Sequence, residues 1–483
     1  MKRKLLIIGI DGATFKMIKP MVNEGKLPTI KKIMDSGSYC ELFSTRPSVT
    51  CVAWPALFTG KNPKNNGIID WHYYRSNYTE HFFNGIDIKG KKFWDYLGEN
   101  GVKCGVVNVP ITYPPTKVNG FIITGCLTPG EYVEFTYPKS LRSEILSKNY
   151  QIDPININEP NNKVFFDQVV NVEEIRKKVC VELIKTKKWD MFFVVFRPEP
   201  LQNRFWEKNT MNIIEDVYKK VDKQVADLID SINGEFDVML VSDHGFGMTP
   251  DYNFYLNVLL DREGYLFLNK KKMPIDKVYR ILVKFGLRWI KYFVGSKIRK
   301  SRFINYAEEV NWNKTKAFGR VSEETGFIYL NKVGRFDKGI VIEEDVEKLK
   351  KEIKNKLDNL YHNKMKVINK VWFREELFGN LKIAPDIIFE LNEKFKGLEI
   401  IGSNSFAKIN DKDKKAWHEF EGIFIASGPN IKNLGEIKQA EIIDVAPTIL
   451  KLYDIKKPEE MDGKIINLIK DKFKHQKSNI FVA

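Results

Sequence analysis

Short apolar runs recur along this chain, and most of them stop at a chemically active group. "KLLIIGID" ends at Asp11, "WDMFFVVFRP" (189–198) runs into Glu199, and "FDVMLVSD" (236–243) runs into His244. "KCGVVNVP" (103–110) is a fourth short run. Apolar runs this short, bounded by turn residues, read as fully buried strands. Between the runs at 189–198 and 236–243, Ile213, Val217, Val221, Val225 and Ile229 recur at intervals of four within 209–234, which predicts an amphipathic helix. Gly234 stands near its end, where a C-cap is expected. Buried strands alternating with helices predict an α/β fold with a doubly wound, mainly parallel sheet flanked by helices. In such sheets ligands gather beyond the carboxyl ends of the strands. Asp11, Glu199, Asp243 and His244 all fall there.

The chain has 483 residues, more than one small core holds, so one large domain with an insertion, or two to three units, is expected. Hydrophobic residues at 43% and charged residues at 29% are the proportions of a globular protein and exclude a disordered one. No uncharged apolar run is long enough to span a membrane. The basic then apolar start has only about six apolar residues before Asp11, too few for a signal peptide core. Five cysteines (40, 51, 104, 126, 180) form no CxxC pair, so neither a disulfide framework nor a thiolate zinc site is indicated, and a cytoplasmic location is expected. Against 62 acids stand 78 lysines and arginines, a net charge of +16. That field favours anionic partners, although a lysine-rich solvated surface gives the same number.

Four segments follow from the pattern. Residues 1–255 read as the first part of the core, 256–374 as an inserted cap, 375–470 as the second part of the core, and 471–483 as a polar tail. "APDIIFEL" (384–391) and "FEGIFIASGPN" (420–430) are expected to rejoin the parallel sheet, and 441–455 to form a closing helix. In the insert, 277–303 interleaves aromatic, apolar and cationic residues. It suits either an acidic membrane surface or a cap helix with an ordinary apolar core face.

Two stretches carry chemistry. In "RPSVTCVAWPALFTGKNPKNNGI" (46–68) a helix is expected to begin between Cys51 and Trp54, with Pro55 in its first turn and Gly60 at its end. Thr50 then stands at a helix N-terminus, where free N–H groups and the dipole suit a phosphate; alternatively it only caps the helix. In "SDHG" (242–245) Asp243 and His244 either converge on a divalent ion or form a hydrogen-bonded buried pair. Of six histidines, His244 and His418 lie beside strand-like segments with turn residues, which favours metal.

Taken in order, "IIGIDGATF", the threonine stretch, "VSDHGFG", "WHEFEGIFIASGP" and "DVAPTILKLYDI…MDGK" resemble the alkaline phosphatase superfamily. They are most similar to its type I phosphodiesterase and nucleotide pyrophosphatase branch, and within it to prokaryotic phosphohydrolases or phosphomutases. The resemblance implies an alkaline phosphatase-like fold with a cap. It also implies Asp11, Asp243, His244 and His418 as metal ligands, and Thr50 as a nucleophile that forms a phospho-threonine. One or two divalent ions per chain are implied, zinc first, with manganese or magnesium as alternatives. The implied substrate is a phosphorylated small molecule, a nucleotide or phosphodiester, with no specific nucleic-acid binding. Phosphomonoester cleavage, phosphomutase action, or an inactive binder of anionic ligands or acidic membrane are the alternatives.

The chain departs from this pattern at the second ion. Glu199 stands where the family has aspartate, and Asn203 where it has histidine. Pro200 is expected to hold Glu199 extended. Three readings follow: a site rebuilt for a harder ion with Glu199, Asn203 and His418; a single ion at Asp11, Thr50, Asp243 and His244 with Arg197 or Arg204 supplying charge; or loss of catalysis. Asp70 reads either as a residue that helps position the phosphoryl group or as a turn residue before an aromatic strand. The resemblance does not name the substrate, because recognition resides in the insert.

Overall fold

The computed structural model describes residues 3–154, 159–207, 209–248, 250–269, 306–399, 404–410 and 414–470. The basic stretch at 277–303 and the tail at 471–483 lie outside the described residues. The chain forms two compact units, one of residues 1–68, 84–247 and 418–483, the other of residues 69–83 and 248–417.

The first unit is built on the short apolar runs. β1 (Leu5–Ile10), β2 (Gly37–Phe43), β3 (Cys104–Val109), β4 (Gly120–Thr124), β5 (Thr136–Tyr137), β6 (Met191–Phe196), β7 (Asp237–Val241), β8 (Glu421–Ser427), β9 (Gly435–Glu436) and β10 (Ala440–Glu441) make one sheet. Its order is β9-β2-β8-β7-β1-β6-β3-β4-β5, with β10 also on β2. β1 runs parallel to both neighbours, Ile10 opposite Phe196 and Gly9 opposite Val241. β8 is antiparallel to β7 and β2. Every residue of β1, β3, β6 and β7 is buried, as strands covered on both faces must be. This is the mainly parallel α/β architecture expected.

Helices pack on this sheet. α1 (Thr50–Thr59) is buried along its whole length. It starts at Thr50 itself, with Val49 as a cap whose side chain makes no bond, and ends at Gly60 with φ +65°. Pro55 therefore sits at the sixth position, not in the first turn. α2 (Asn162–Thr186) packs on β6 and on the helix Met211–Asp230. The latter buries Ile214, Val217, Tyr218, Val221, Val225 and Leu228. Ile213 and Ile229, expected on this face, lie at its margin because a period of four drifts off a helix of 3.6 residues per turn. Its C-cap is Ser231, and Gly234 takes a left-handed turn further on. A short helix, α3 (Glu199–Phe205), follows β6. Glu199 is its first residue, so it is helical and not extended. Proline is tolerated in a first turn, where its missing N–H has no partner to lose, and that overrides the bias it places on the preceding residue. The closing helix is Val445–Leu452.

The second unit holds a four-stranded antiparallel sheet in the order Ala317–Ser322, Thr325–Leu330, Ile387–Leu391, Ile368–Phe373. The apolar run at 384–391 thus joins this sheet and not the parallel one. A strand buried on both faces reads alike in either setting. The charged helix Glu343–Asp358 packs on Ile368–Phe373. Tyr78 stacks on Trp312 with ring centres 3.5 Å apart. Arg320, on the first strand of this sheet, is buried. Its Nε lies 3.1 Å from Asp70 Oδ2 and 3.3 Å from Glu399 Oε1, and its Nη1 lies 2.8 Å from His72 Nδ1. No helix among the described residues is long and apolar enough to cross a membrane.

Candidate active site

Asp11 is the first residue after β1, and Asp243 and His244 lie two and three residues past β7. Because β1 and β7 are neighbours in parallel, their carboxyl ends deliver these side chains to one place. Asp11, Asp243 and His244 are fully buried, and one ligand atom from each lies within 4.8 Å of the others. His244 Nε2 is 3.3 Å from Asp243 Oδ2 and 3.8 Å from Asp11 Oδ1.

Backbone bonds fix these groups. The Gly12 amide donates to Asp243 Oδ1 at 3.1 Å. Ser242 Oγ donates to the Ala13 carbonyl at 3.0 Å and accepts from the Ile423 amide at 2.7 Å, which ties the ends of β1, β7 and β8 together. His244 Nδ1 lies 2.9 Å from the Gly245 carbonyl oxygen, which sets Nδ1 as the protonated nitrogen and leaves Nε2 as the lone-pair nitrogen facing the carboxylates. Gly12 has φ +70°, and a Cβ there would stand 2.8 Å from Gln202 Oε1. Only glycine takes that turn without strain.

Four buried atoms of this cluster are left over, both Asp11 carboxylate oxygens among them. Asp243 Oδ2 and His244 Nε2 make no hydrogen bond, although buried polar atoms are nearly always satisfied. Two carboxylates and a neutral imidazole are the donor set of zinc and related ions, and their separations suit one ion. These three residues therefore fit a divalent cation. Burial pushes the Asp243 carboxyl up to about 6, with the Asp11 charge adding to it. Burial also raises Asp11, against the pull of Arg197 and His244. For His244, burial opposes the charged form, and Asp243 and Asp11 outweigh it, so its pKa is raised. A bound cation would relieve this crowding of negative charge.

Thr50 is 3% exposed and opens α1. Trp54, one turn later on the same face, lies against the end of β1: a Cβ on Gly9 would come within 2.5 Å of its ring. The Trp54 indole is close enough to Asp11 to favour the charged carboxylate. The chain leading into α1 is anchored too, since Ser44 Oγ donates to the Asp243 carbonyl at 2.6 Å.

His418 comes from a strand, Trp417–Glu419, that pairs with Gly245–Met248. Its ring stacks on His244 with centres 4.1 Å apart, and its Nε2 lies 3.8 Å from Glu199 Oε1. Glu199 accepts a hydrogen bond from Asn203 Nδ2, one turn away on α3. Burial raises the Glu199 carboxyl, against Arg197 and His244. Arg197 sits among acids: Nε is 3.5 Å from Asp11 Oδ2, Nη2 3.6 Å from Glu199 Oε2, and Nη1 donates to Asp153 Oδ1 at 2.6 Å.

The structure thus gathers Asp11, Asp243, His244, His418, Glu199, Asn203 and Arg197. Arg204 it turns away: Nε donates to Asn162 Oδ1 at 2.9 Å, Nη2 to the Pro160 carbonyl at 3.0 Å, and its plane covers Phe165. Asp70 belongs to the second unit, paired with Arg320. Sequence reasoning missed Asp153, Trp54 and Ser44. Asp153 lies on a loop without periodicity, and only the position of Trp54 four residues after Thr50 hinted at its part.

A family model described as type I phosphodiesterase/nucleotide pyrophosphatase matches residues 5–418. No curated protein sequence matches the chain. Among solved structures it is similar to phosphonoacetate hydrolase from Sinorhizobium meliloti 1021, seen with phosphonoformate and with phosphonoacetate. The TM-score is 0.59 at 14% identity, over 92% of this chain and 94% of that one. It is also similar to murine ectonucleotide pyrophosphatase/phosphodiesterase 5, with TM-score 0.54 at 13% identity, over 94% of this chain and 96% of that one. An inactive variant of the murine protein is seen with AMP. At such identities these structures carry the fold alone, and the family rests on the match that runs from β1 to His418. The chain belongs to the type I phosphodiesterase/nucleotide pyrophosphatase family of the alkaline phosphatase superfamily, with the phosphoester hydrolase fold of that family.

Proposed function

We propose that the chain hydrolyses a phosphate ester, a phosphodiester or nucleotide pyrophosphate bond, through a covalent phospho-threonine at Thr50. The observation that carries this reading is the buried cluster of Asp11, Asp243 and His244, with Asp243 Oδ2 and His244 Nε2 unsatisfied, at strand ends beside the helix that Thr50 opens. A divalent ion held there, zinc first with manganese or magnesium as alternatives, would supply a Lewis acid for the phosphoryl oxygen and lower the pKa of the threonine hydroxyl.

The chain's own residues do the rest. The start of α1 offers the positive end of a helix dipole to the phosphoryl group. Thr50 Oγ gives up its proton to water and attacks phosphorus; the Oγ–P bond forms as the bond to the leaving oxygen breaks. Water then attacks the phospho-threonine, the P–Oγ bond breaks, and Thr50 takes back a proton. The Gly12 amide holds the Asp243 carboxylate, and Ser242 ties together the strand ends that carry Asp11 and Asp243, through both steps. Phosphonate ligands and AMP on the similar folds support a small phosphorylated substrate.

Nitrophenyl phosphate mono- and diesters, assayed with zinc, manganese and magnesium beside Thr50→Ala, test this. Turnover in wild type and a phosphorylated Thr50 peptide by mass spectrometry are expected. Equal turnover in Thr50→Ala would reject the nucleophile. Preference for the monoester would move the substrate class, and AMP binding with no turnover under any metal would leave a binder.

A further inference from the structure

A second cation of the kind the family resemblance implies would draw on Glu199, Asn203 and His418, and these residues do not fit one. The position is filled by protein. Arg197 follows β6 directly, just as Asp11 follows β1, and the Asp11 amide donates to the Phe196 carbonyl at 2.9 Å. The two side chains leave adjacent strand ends together. Arg197 is 9% exposed and is bordered by three carboxylates, those of Asp11, Glu199 and Asp153. Asn203 presents its amide nitrogen, not its oxygen, to Glu199 Oε1. The Glu199 carboxylate is thus flanked by a guanidinium on one oxygen and an amide on the other. A divalent ion placed there would meet a fixed positive charge that cannot be neutralised by losing a proton.

We infer that the Arg197 guanidinium takes the place of the second cation, so that the chain binds one divalent ion, at Asp11, Asp243 and His244. The inference rests on the metal-assisted phosphoester chemistry proposed above. Arg197 Nε is buried and faces Asp11 Oδ2 at 3.5 Å, so the guanidinium acts through its charge beside Asp11, where a cation would otherwise sit. Arg197 stands beside the first site through Asp11, which faces both. It brings one unit of charge where an ion would bring two, and it cannot ionise a bound water.

Metal content of the full chain, after equilibration with manganese or zinc and removal of excess, tests this without any turnover. Wild type is expected to hold one ion per chain, with an uncoupled single-ion manganese spectrum. Arg197→Lys, which keeps the charge, is expected to stay at one, and Arg197→Gln to take up a second. Two ions in wild type would overturn the inference and leave the proposed hydrolase intact. Arg197→Gln remaining at one would overturn the exclusion by Arg197. No ion in wild type under either metal would overturn both readings. The wild-type count decides even if a variant fails to fold.

Discussion

The Gly12 amide donates to Asp243 Oδ1 at 3.1 Å, across 231 residues of sequence. One turn therefore sets the aim of a carboxylate that belongs to another strand. The turn needs φ +70°, and a Cβ would press on Gln202 Oε1 at 2.8 Å. Gly12→Ala is expected to cost about 1–3 kcal/mol from strain and overpacking. Metal affinity is expected to fall by more than stability does, because the displaced backbone carries the donor to Asp243. Denaturant unfolding and a zinc titration, run on the same variant, separate the two effects.

Thr50 gives a second prediction. Thr50→Ala removes the attacking oxygen and is expected to lower kcat by on the order of 10³-fold or more, as loss of a nucleophile does elsewhere. Thr50→Ser keeps the oxygen and is expected to retain measurable turnover and the covalent intermediate. Metal content is expected to stay within error of wild type in Thr50→Ser. Rapid-quench detection of phosphorylated protein checks both variants, and an intermediate in Thr50→Ala would place the nucleophile elsewhere.

The strand ends were legible because a fully buried strand is nearly continuous in apolar residues, so Asp11 and Asp243 stand out as the points where the apolar run stops. The expectation that Asp11, Asp243, His244 and His418 together hold metal came from the family resemblance; placement alone had favoured metal only at His244 and His418. What stayed hidden depended on contacts across the chain. Arg197 and Arg204 look equivalent in "FRPEPLQNRF", yet one faces Asp11 and the other leaves for Asn162. The difference is a helix: α3 starts at Glu199, which puts Arg204 on another face of it. Glu199 and Asn203, read as separate candidate ligands, are bonded to each other because they are four apart on that helix. Val49 carries no capping side chain, so nothing local marked Thr50 as the first helical residue.

Arg320 gives a third prediction, in the second unit. Its guanidinium is buried between Asp70 and Glu399, with His72 on its Nη1. Removing one partner of a buried pair leaves uncompensated charge and costs about 3–5 kcal/mol. Arg320→Leu is expected to lose that much, and Arg320→Leu with Asp70→Asn to recover part of it. Thermal unfolding of the single and double variants measures the coupling. A single variant within about 0.5 kcal/mol of wild type, the usual range for a surface change, would show that this pair is not buried in solution.

The Asp243 carboxyl gives the last prediction, and its sign follows from burial. Its pKa rises from the ordinary 3.8 to about 6 in the folded chain, burial first and the Asp11 charge second. A raised acid binds its proton more tightly when folded, so without metal its contribution is most favourable below the unfolded value. It falls as pH climbs from about 4 through about 6, by roughly 3 kcal/mol at 1.36 kcal/mol per unit. Asp11 is shifted in the same direction and adds to the trend. A divalent ion requires both carboxylates ionised and competes with those protons. In chelator the wild type is therefore expected to be less stable at pH 8 than at pH 5. The stabilisation gained on adding zinc or manganese is expected to be larger at pH 8, and Asp243→Asn to flatten both trends. Unfolding curves at the two pH values, with and without metal, read this directly. A metal-dependent gain that is equal at pH 5 and pH 8 would mean that Asp243 does not titrate against the ion.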